Sequence, residues 1–209
     1  MTTAHSTIAA VPNLLLVTDR HTTGGHDLLD VVVRALDAGL PAIQLRDKDL
    51  SGRALFALAE RLRAATTRAG ARLFVNDRID VARAVGADGV QLGATSLPVE
   101  VARTLLPPGT LVGYSAHTID EVGTTTADFV LFGPVYDTPS KRAQGAPQGL
   151  GRLHDAVAAA RVPVLAIGGI DASHRAAIRA TGAHGVAVIR AILAAPDPAA
   201  ATRSLLAAH

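Results

Sequence analysis

The chain is predicted to fold as a (β/α)₈ TIM barrel, and three observations predict it. Eight short apolar runs recur along the 209 residues, each with the length of a strand buried on both faces. Segments with helical spacing separate them, the alternation that builds a parallel sheet with crossover helices. Eight such units in one domain close a barrel. A doubly wound open sheet, the alternative, leaves no natural role for an eighth unit.

The units are read in order. LLLV (14–17) precedes a helical stretch at 27–38, and AIQL (42–45) precedes one at 51–69. The phrase AGARLF then turns that helix into RLFV (72–75), followed by a helix at 79–85. GADGVQL repeats the turn into GVQL (89–92), with a helix at 98–106. TLVGY (110–114) leads to the weakest helix, 118–125, because Gly123 and three Thr residues are poor helix formers. FVLF (129–132) is followed by a long Gly- and Pro-bearing loop and a helix at 150–160. VLAI (164–167) precedes a helix at 173–180, opened by Asp171 or Ser173 as cap. GAHGVAV turns the chain into GVAVI (185–189), and a final helical stretch runs through 191–207. Residues 11–209 are taken as one domain and residues 1–10 as a flexible N-terminal tail.

Composition removes several function classes. The formal net charge is +2 despite a sequence pI near 9.5, the Arg residues are scattered singly among acids, and Trp is absent, so no nucleic-acid surface is expected. Without Cys there are no disulfides, thiolate metal sites or cysteine nucleophiles, which fits a reducing compartment. The start MTTAHSTIAAVPNLLLV has no Lys or Arg and is interrupted by Pro12-Asn13, unlike a signal peptide. No stretch reaches the roughly 20 apolar residues of a membrane span. A cytoplasmic protein is expected, with no membrane partner, and with its oligomeric state, homo-oligomer included, left open.

In a barrel the chemistry sits at the C-terminal ends of the strands. There the chain places Thr18-Asp19, Gln44-Arg46-Lys48, Asn76-Asp77, Gln91-Gly93, Ser115-His117, Gly133-Pro134, Gly168-Gly169 and Ile189-Arg190. Taken singly, each has a structural reading: Asn76 and Asp77 as helix caps, Arg46 and Lys48 as a salt-bridged edge around Asp47, His117 as an exposed loop residue, and the glycines as a turn. Gathered on one rim, they point to anion binding. Gly168-Gly169 and the helix opened by Ile189-Arg190 form the phosphate pocket usual in such barrels. Lys141, with the Thr138 and Ser140 hydroxyls close by, and Arg46 with Lys48 provide cations for a second anionic group.

The segments QLRDK (44–48), FVNDR (74–78), GYSAHT (113–118), FGPVYDTPSK (132–141), AIGGI (166–170) and GVAVIRAI (185–192) closely resemble those of the thiamine phosphate synthase and TenI superfamily, from about residue 13 to residue 200. The resemblance implies a small phosphorylated heteroaromatic substrate. In the synthase branch it implies coupling of hydroxymethylpyrimidine diphosphate to thiazole phosphate, with loss of diphosphate. Gln44, Arg46, Lys48, Asn76, Ser115, Thr138, Ser140 and Lys141 would hold the pyrimidine and diphosphate, while Gly168, Gly169, Ile189 and Arg190 would hold the thiazole phosphate. Magnesium would bind between two carboxylates, the first matched by Asp77.

At the second carboxylate the chain departs from the pattern. After the fourth strand it reads Gly93-Ala94-Thr95-Ser96, so that Ser96 stands where the acid is usual, Ala94 where a Gln is usual and Gln91 where a His is common. The preferred expectation is therefore the other branch, a TenI-like thiazole tautomerase that needs no metal, with His117 as general acid/base. The synthase, using Mg²⁺ through Asp77, is the alternative, and a non-catalytic barrel binding a thiamine-related ligand is the third reading.

Overall fold

A computed structural model describes residues 11–138 and 146–207. The expected tail at residues 1–10 lies outside these, as do Ser140 and Lys141. The strands are β1 Leu14–Val17, β2 Ala42–Leu45, β3 Arg72–Asn76, β4 Gly89–Leu92, β5 Leu111–Ala116, β6 Phe129–Phe132, β7 Val164–Ile167 and β8 Gly185–Val188. All neighbours pair in parallel, and β8 closes onto β1 through Leu14↔Val186 and Leu16↔Val188, so the sheet is a closed eight-stranded barrel. The helices are α1 Leu28–Asp37, α2 Gly52–Ala69, α3 Ile79–Ala84, α4 Val99–Leu105, α5 Ile119–Thr124, α6 Gly149–Ala159, α7 Arg175–Ala180, α8 Arg190–Leu193 and α9 Pro198–Ala207. Among the described residues no helix is long and apolar enough to cross a membrane.

Two apolar layers hold the barrel together, because side chains alternate across each strand. Outward residues such as Leu14, Leu16, Ile43, Leu73 and Val75 pack with helix residues including Val32, Ala35, Ala59 and Leu62. Inward residues Leu15, Val17, Ala42, Phe74, Phe129, Leu131, Leu165 and Ala187 form a separate inner cluster. The Phe74 and Phe129 rings meet edge to face, 5.4 Å apart at 78°. Glycines make room for them: a Cβ on Gly89 would stand 2.5 Å from Phe74, and one on Gly113 would stand 2.4 Å from Phe129. Two residues further along the strands the inward positions become polar, as Gln44, Asn76, Gln91 and Ser115. The apolar plug thus supports a polar floor.

Two helices depart from expectation in ways with clear physical causes. The stretch expected to be continuous through 191–207 is split into α8 and α9 at Pro196-Asp197-Pro198. Proline carries no N–H to continue a helix, and the Asp197 carboxylate caps the new start by accepting from the Ala199 N–H at 3.0 Å. Before α7, Asp171 is the cap: it accepts from the Ser173 N–H at 2.9 Å and opens a 3₁₀ turn at Ala172–His174. The weak helix α5 does form. Gly123 costs it about 1 kcal/mol against Ala, but a Thr118–Glu121 capping box and the buried Val122 each contribute at least as much.

Candidate functional site

The end of β3 carries the most constrained residue of the rim. Asp77 has φ +60°, the one non-glycine residue with positive φ among those described. Such a conformation costs about 1–3 kcal/mol and persists only where neighbours impose it. Here the Asp77 N–H donates to the Gln91 carbonyl at 3.0 Å, and the Arg78 N–H donates to the Asn76 carbonyl at 2.7 Å. The turn lifts the Asp77 carboxylate out of the strand. One of its oxygens, Oδ2, accepts from the Asn76 amide at 2.7 Å; the other, Oδ1, accepts from the Ser96 hydroxyl.

That second contact shows what the small-residue loop after β4 does. The Gly93 N–H donates to Ser96 Oγ at 2.7 Å, and the Ser96 N–H donates back to the Gly93 carbonyl at 2.9 Å. Gly93-Ala94-Thr95-Ser96 is a closed turn that delivers one hydroxyl to Asp77.

Asp47 organises the turn after β2. The carboxylate is buried; it accepts from the Thr18 hydroxyl at 3.2 Å and from the Arg20 N–H at 3.3 Å. Thr18 Oγ1 in turn accepts from the Arg46 N–H at 2.9 Å. This network fixes the turn between Arg46, half-buried, and Lys48, exposed. The salt-bridged edge that the sequence also allowed is not what forms: Asp47 is taken by Thr18 and Arg20, whose guanidinium stands 3.5 Å from it and is held mainly by Asp49 through two bonds of 2.6 Å. Those bonds, helped by His21, hold the Asp49 carboxyl well below the usual carboxylate range. No described residue pairs with the Arg46 or Lys48 side chain.

Below them lies the polar floor. Gln44 donates from Nε2 to Asn76 Oδ1 at 3.3 Å, and Gln91 donates from Nε2 to Ser115 Oγ at 2.9 Å. Gln91 Oε1 is a buried acceptor without a partner among the described residues.

His117 follows β5, with an exposed residue surface and three bonds to hold it. Its N–H donates to Glu121 Oε2 at 2.7 Å, its carbonyl accepts from Gln148 Nε2 at 3.0 Å, and its Nδ1 stands 3.1 Å from the Gly133 carbonyl. A carbonyl only accepts, so Nδ1 is the donor in this contact, and Nε2 takes no part in it. Burial pushes the Glu121 carboxyl up, but the N–H groups of His117 and Thr118 outweigh it and leave the carboxyl below its usual range.

The expected phosphate pocket is built from backbone. Gly168 has φ +100° and Gly169 φ +66°. The loop after β6 is tied onto them by the Val135 N–H to the Ile167 carbonyl at 2.9 Å and the Tyr136 N–H to the Gly168 carbonyl at 3.0 Å. A Cβ on Gly168 would stand 2.5 Å from Pro134, and one on Gly169 would stand 2.5 Å from the Asp137 carbonyl oxygen. Both glycines are thus needed for their backbone shape and for the approach of the neighbouring loop. The N–H groups of Gly169, Ile189 and Arg190 find no acceptor among the described residues, leaving donors turned to whatever occupies the pocket. Tyr136 stacks on His174, with ring centres 4.0 Å apart, and so anchors the base of the loop that continues to Thr138.

The rim therefore brings together Gln44, Asn76, Asp77, Gln91, Ser96 and Ser115 by direct bonds, with Arg46 and Lys48 beside them. Sequence reasoning missed Gln148, Glu121 and Arg20 and, although it placed Thr18 on the rim, its role as a support. The Thr118-to-Glu121 spacing of a capping box was a signal for Glu121. The other three depend on contacts between distant segments.

Magnesium, which the family pattern implies, takes oxygen ligands and commonly uses one or two carboxylates with water and substrate phosphate. Asp77 with Ser96 offers one carboxylate and one hydroxyl, a set that fits the lower limit of that requirement. Among the described residues no group of three His, Cys, Asp or Glu converges as an all-protein cage.

Known proteins agree with this geometry. The profile of the thiamine monophosphate synthase family, TMP-TENI, matches residues 14–192. A relative from Geobacter sulfurreducens is 49% identical over 198 residues, covering 93% of each chain. The thiamine-phosphate synthase of Methanoculleus marisnigri is 45% identical over 196 residues, covering 92% of this chain and 93% of its own. A solved thiamine phosphate pyrophosphorylase from Pyrococcus furiosus superposes with a TM-score of 0.85 at 35% identity, covering 94% of each chain. With its barrel and its sequence in agreement, the chain belongs to the thiamine monophosphate synthase/TenI family.

Proposed function

We propose that this protein is a thiamine-phosphate synthase, joining hydroxymethylpyrimidine diphosphate to thiazole phosphate and releasing diphosphate. One observation carries the reading: a relative 45% identical over nearly the whole of both chains bears that name. It moves the weight from the tautomerase, the preferred expectation from sequence, to the synthase alternative. Residues 11–209 act in this reading as one domain, in the cytoplasm.

The chemistry asks for a carbon–oxygen bond to break while negative charge gathers on the departing diphosphate. Arg46 and Lys48, unpaired in the described structure, are placed to receive that charge, and preset charges lower a barrier because they need not reorganise during the reaction. Lys141, Thr138 and Ser140 are proposed to bind the diphosphate, as the family resemblance implies. Gln44, Asn76 and Ser115 line the floor with amide and hydroxyl groups suited to the polar edge of a pyrimidine. Across the mouth, Gly168, Gly169, Ile189 and Arg190 hold the thiazole phosphate and so present the ring nitrogen to the pyrimidine methylene carbon. When bound through Asp77, with the Ser96 hydroxyl beside it, magnesium supplies positive charge against the diphosphate oxygens.

The test is a coupling assay with both substrates and magnesium, following thiamine phosphate and diphosphate together. Formation of both in equal amounts supports the synthase. A second reading is favoured by His117, whose Nε2 is left free to move a proton on a thiazole carboxylate phosphate. No coupling, with accelerated aromatisation of the thiazole tautomer that His117→Ala slows by roughly 10² to 10⁴, would establish the tautomerase instead.

A further inference from the structure

We propose that the free protein has no standing site for a divalent cation and that diphosphate completes it, so that metal and diphosphate enter at Asp77 and Ser96 as one unit. This rests on the synthase reading above. Both Asp77 oxygens already accept hydrogen bonds, from Asn76 at 2.7 Å and from the Ser96 hydroxyl. Ser96 is engaged twice as well, since its oxygen also accepts from the Gly93 N–H at 2.7 Å. For that oxygen to face a cation fully, its hydrogen must leave Asp77.

Asp47 does not supply the missing second charge. Asp47, at the end of the adjacent strand, is 7% exposed and committed to Thr18 and Arg20. A lone divalent ion would therefore meet the Asp77 charge without help from Asp47, while Arg46 and Lys48, cations without a partner among the described residues, follow the adjacent strand. Magnesium gives up its water reluctantly, and this site offers little in exchange.

Diphosphate reverses each of these terms. It neutralises the two cations, adds several anionic oxygens facing Asp77, and lets the Ser96 hydroxyl turn from the carboxylate to a phosphate oxygen. Coupling of this kind is reciprocal: whatever factor diphosphate gives the metal, the metal gives diphosphate.

The experiment uses Mn²⁺ and inorganic pyrophosphate as probes, with free Mn²⁺ read by its electron paramagnetic resonance signal. Wild-type protein alone should show no saturable Mn²⁺ binding up to about 1 mM, equivalent to less than about 4 kcal/mol of binding free energy. In equilibrium dialysis, corrected for the Mn²⁺–pyrophosphate complex in solution, pyrophosphate retention should rise at least about tenfold with Mn²⁺, and Asp77→Asn should abolish that rise. Ser96→Asp should bind Mn²⁺ without pyrophosphate at least about tenfold more tightly than the wild type. Saturable wild-type binding of Mn²⁺ alone below about 100 µM, or equal pyrophosphate retention with and without the metal, overturns the proposal. Should Ser96→Asp not fold, the wild-type measurements with and without pyrophosphate still decide. Because the readout is binding, failure of the synthase reading shows separately, as wild-type protein that does not couple its substrates.

Discussion

The two sides of the barrel mouth are made of different material. From β2 to β5 the candidate site consists of side chains: Gln44, Arg46, Lys48, Asn76, Asp77, Ser96, Ser115 and His117. At β7 and β8 it consists of backbone, with Gly168 and Gly169 in conformations that side chains rarely adopt and with the N–H groups of Gly169, Ile189 and Arg190 open. The difference teaches where function and stability separate. A side chain at the mouth can be exchanged without disturbing the strand beneath it. The backbone pocket cannot be altered without moving the loop after β6, which is packed directly on it.

Substitutions on each side sharpen that contrast. The largest effect is expected for Asp77→Asn, which keeps a residue tolerant of positive φ but removes the carboxylate. Coupling kcat/KM should fall by roughly 10² to 10³, while chemical denaturation shifts by no more than about 0.5 kcal/mol; a large loss of stability would show that the acid serves the turn rather than the chemistry. Gly169→Ala should do the reverse. Its new Cβ would lie 2.5 Å from the Asp137 carbonyl oxygen, so unfolding free energy should drop by about 2–3 kcal/mol, with weaker thiazole phosphate binding in calorimetry. An unchanged melting curve would mean that the two loops are not coupled as described.

Arg46→Ala is expected to raise KM for the pyrimidine diphosphate about tenfold, the worth of one charge-assisted contact, with stability unaltered. A KM equal to wild type would remove Arg46 from the site. The smallest effect is expected at Glu121. Its folded pKa is lowered, so the unfolded chain binds the proton more readily; the stabilisation is complete above the ordinary carboxylate range and is lost as pH falls through the depressed folded value. Glu121→Gln should therefore flatten the acid limb of a stability-versus-pH curve and cost about 1 kcal/mol or less at neutral pH. An acid limb as steep as that of the wild type would assign the pH response to other carboxylates.

The barrel was legible because buried parallel strands are short apolar runs whatever their partners. β1, β2, β4, β6 and β7 begin and end where the runs do. β3 and β5 extend further, to Asn76 and Ala116, because strand pairing continues through polar residues once a neighbour supplies the hydrogen bonds. The rim was legible for a related reason: once the strand ends are known, the residues that follow them must share one face. What stayed hidden were the pairings across that face. Asp47 among Arg46, Lys48 and Asp49 gives no sign that it will be buried on Thr18, or that Arg20 will choose Asp49. The tie from Gln148 to the His117 carbonyl spans 31 positions and leaves no periodic trace. The placement of Ser140 and Lys141 lies outside the described residues.

The interlock of Phe74 and Phe129 with Gly89 and Gly113 bears on how such a barrel can change over time. A methyl group added at either glycine would collide with a ring, and a ring trimmed alone would leave a void beneath the floor. Drift at these four positions is therefore epistatic: a lineage crosses from one solution to another through paired, compensating exchanges, whereas a side chain at the mouth above can be exchanged singly without unsettling the barrel.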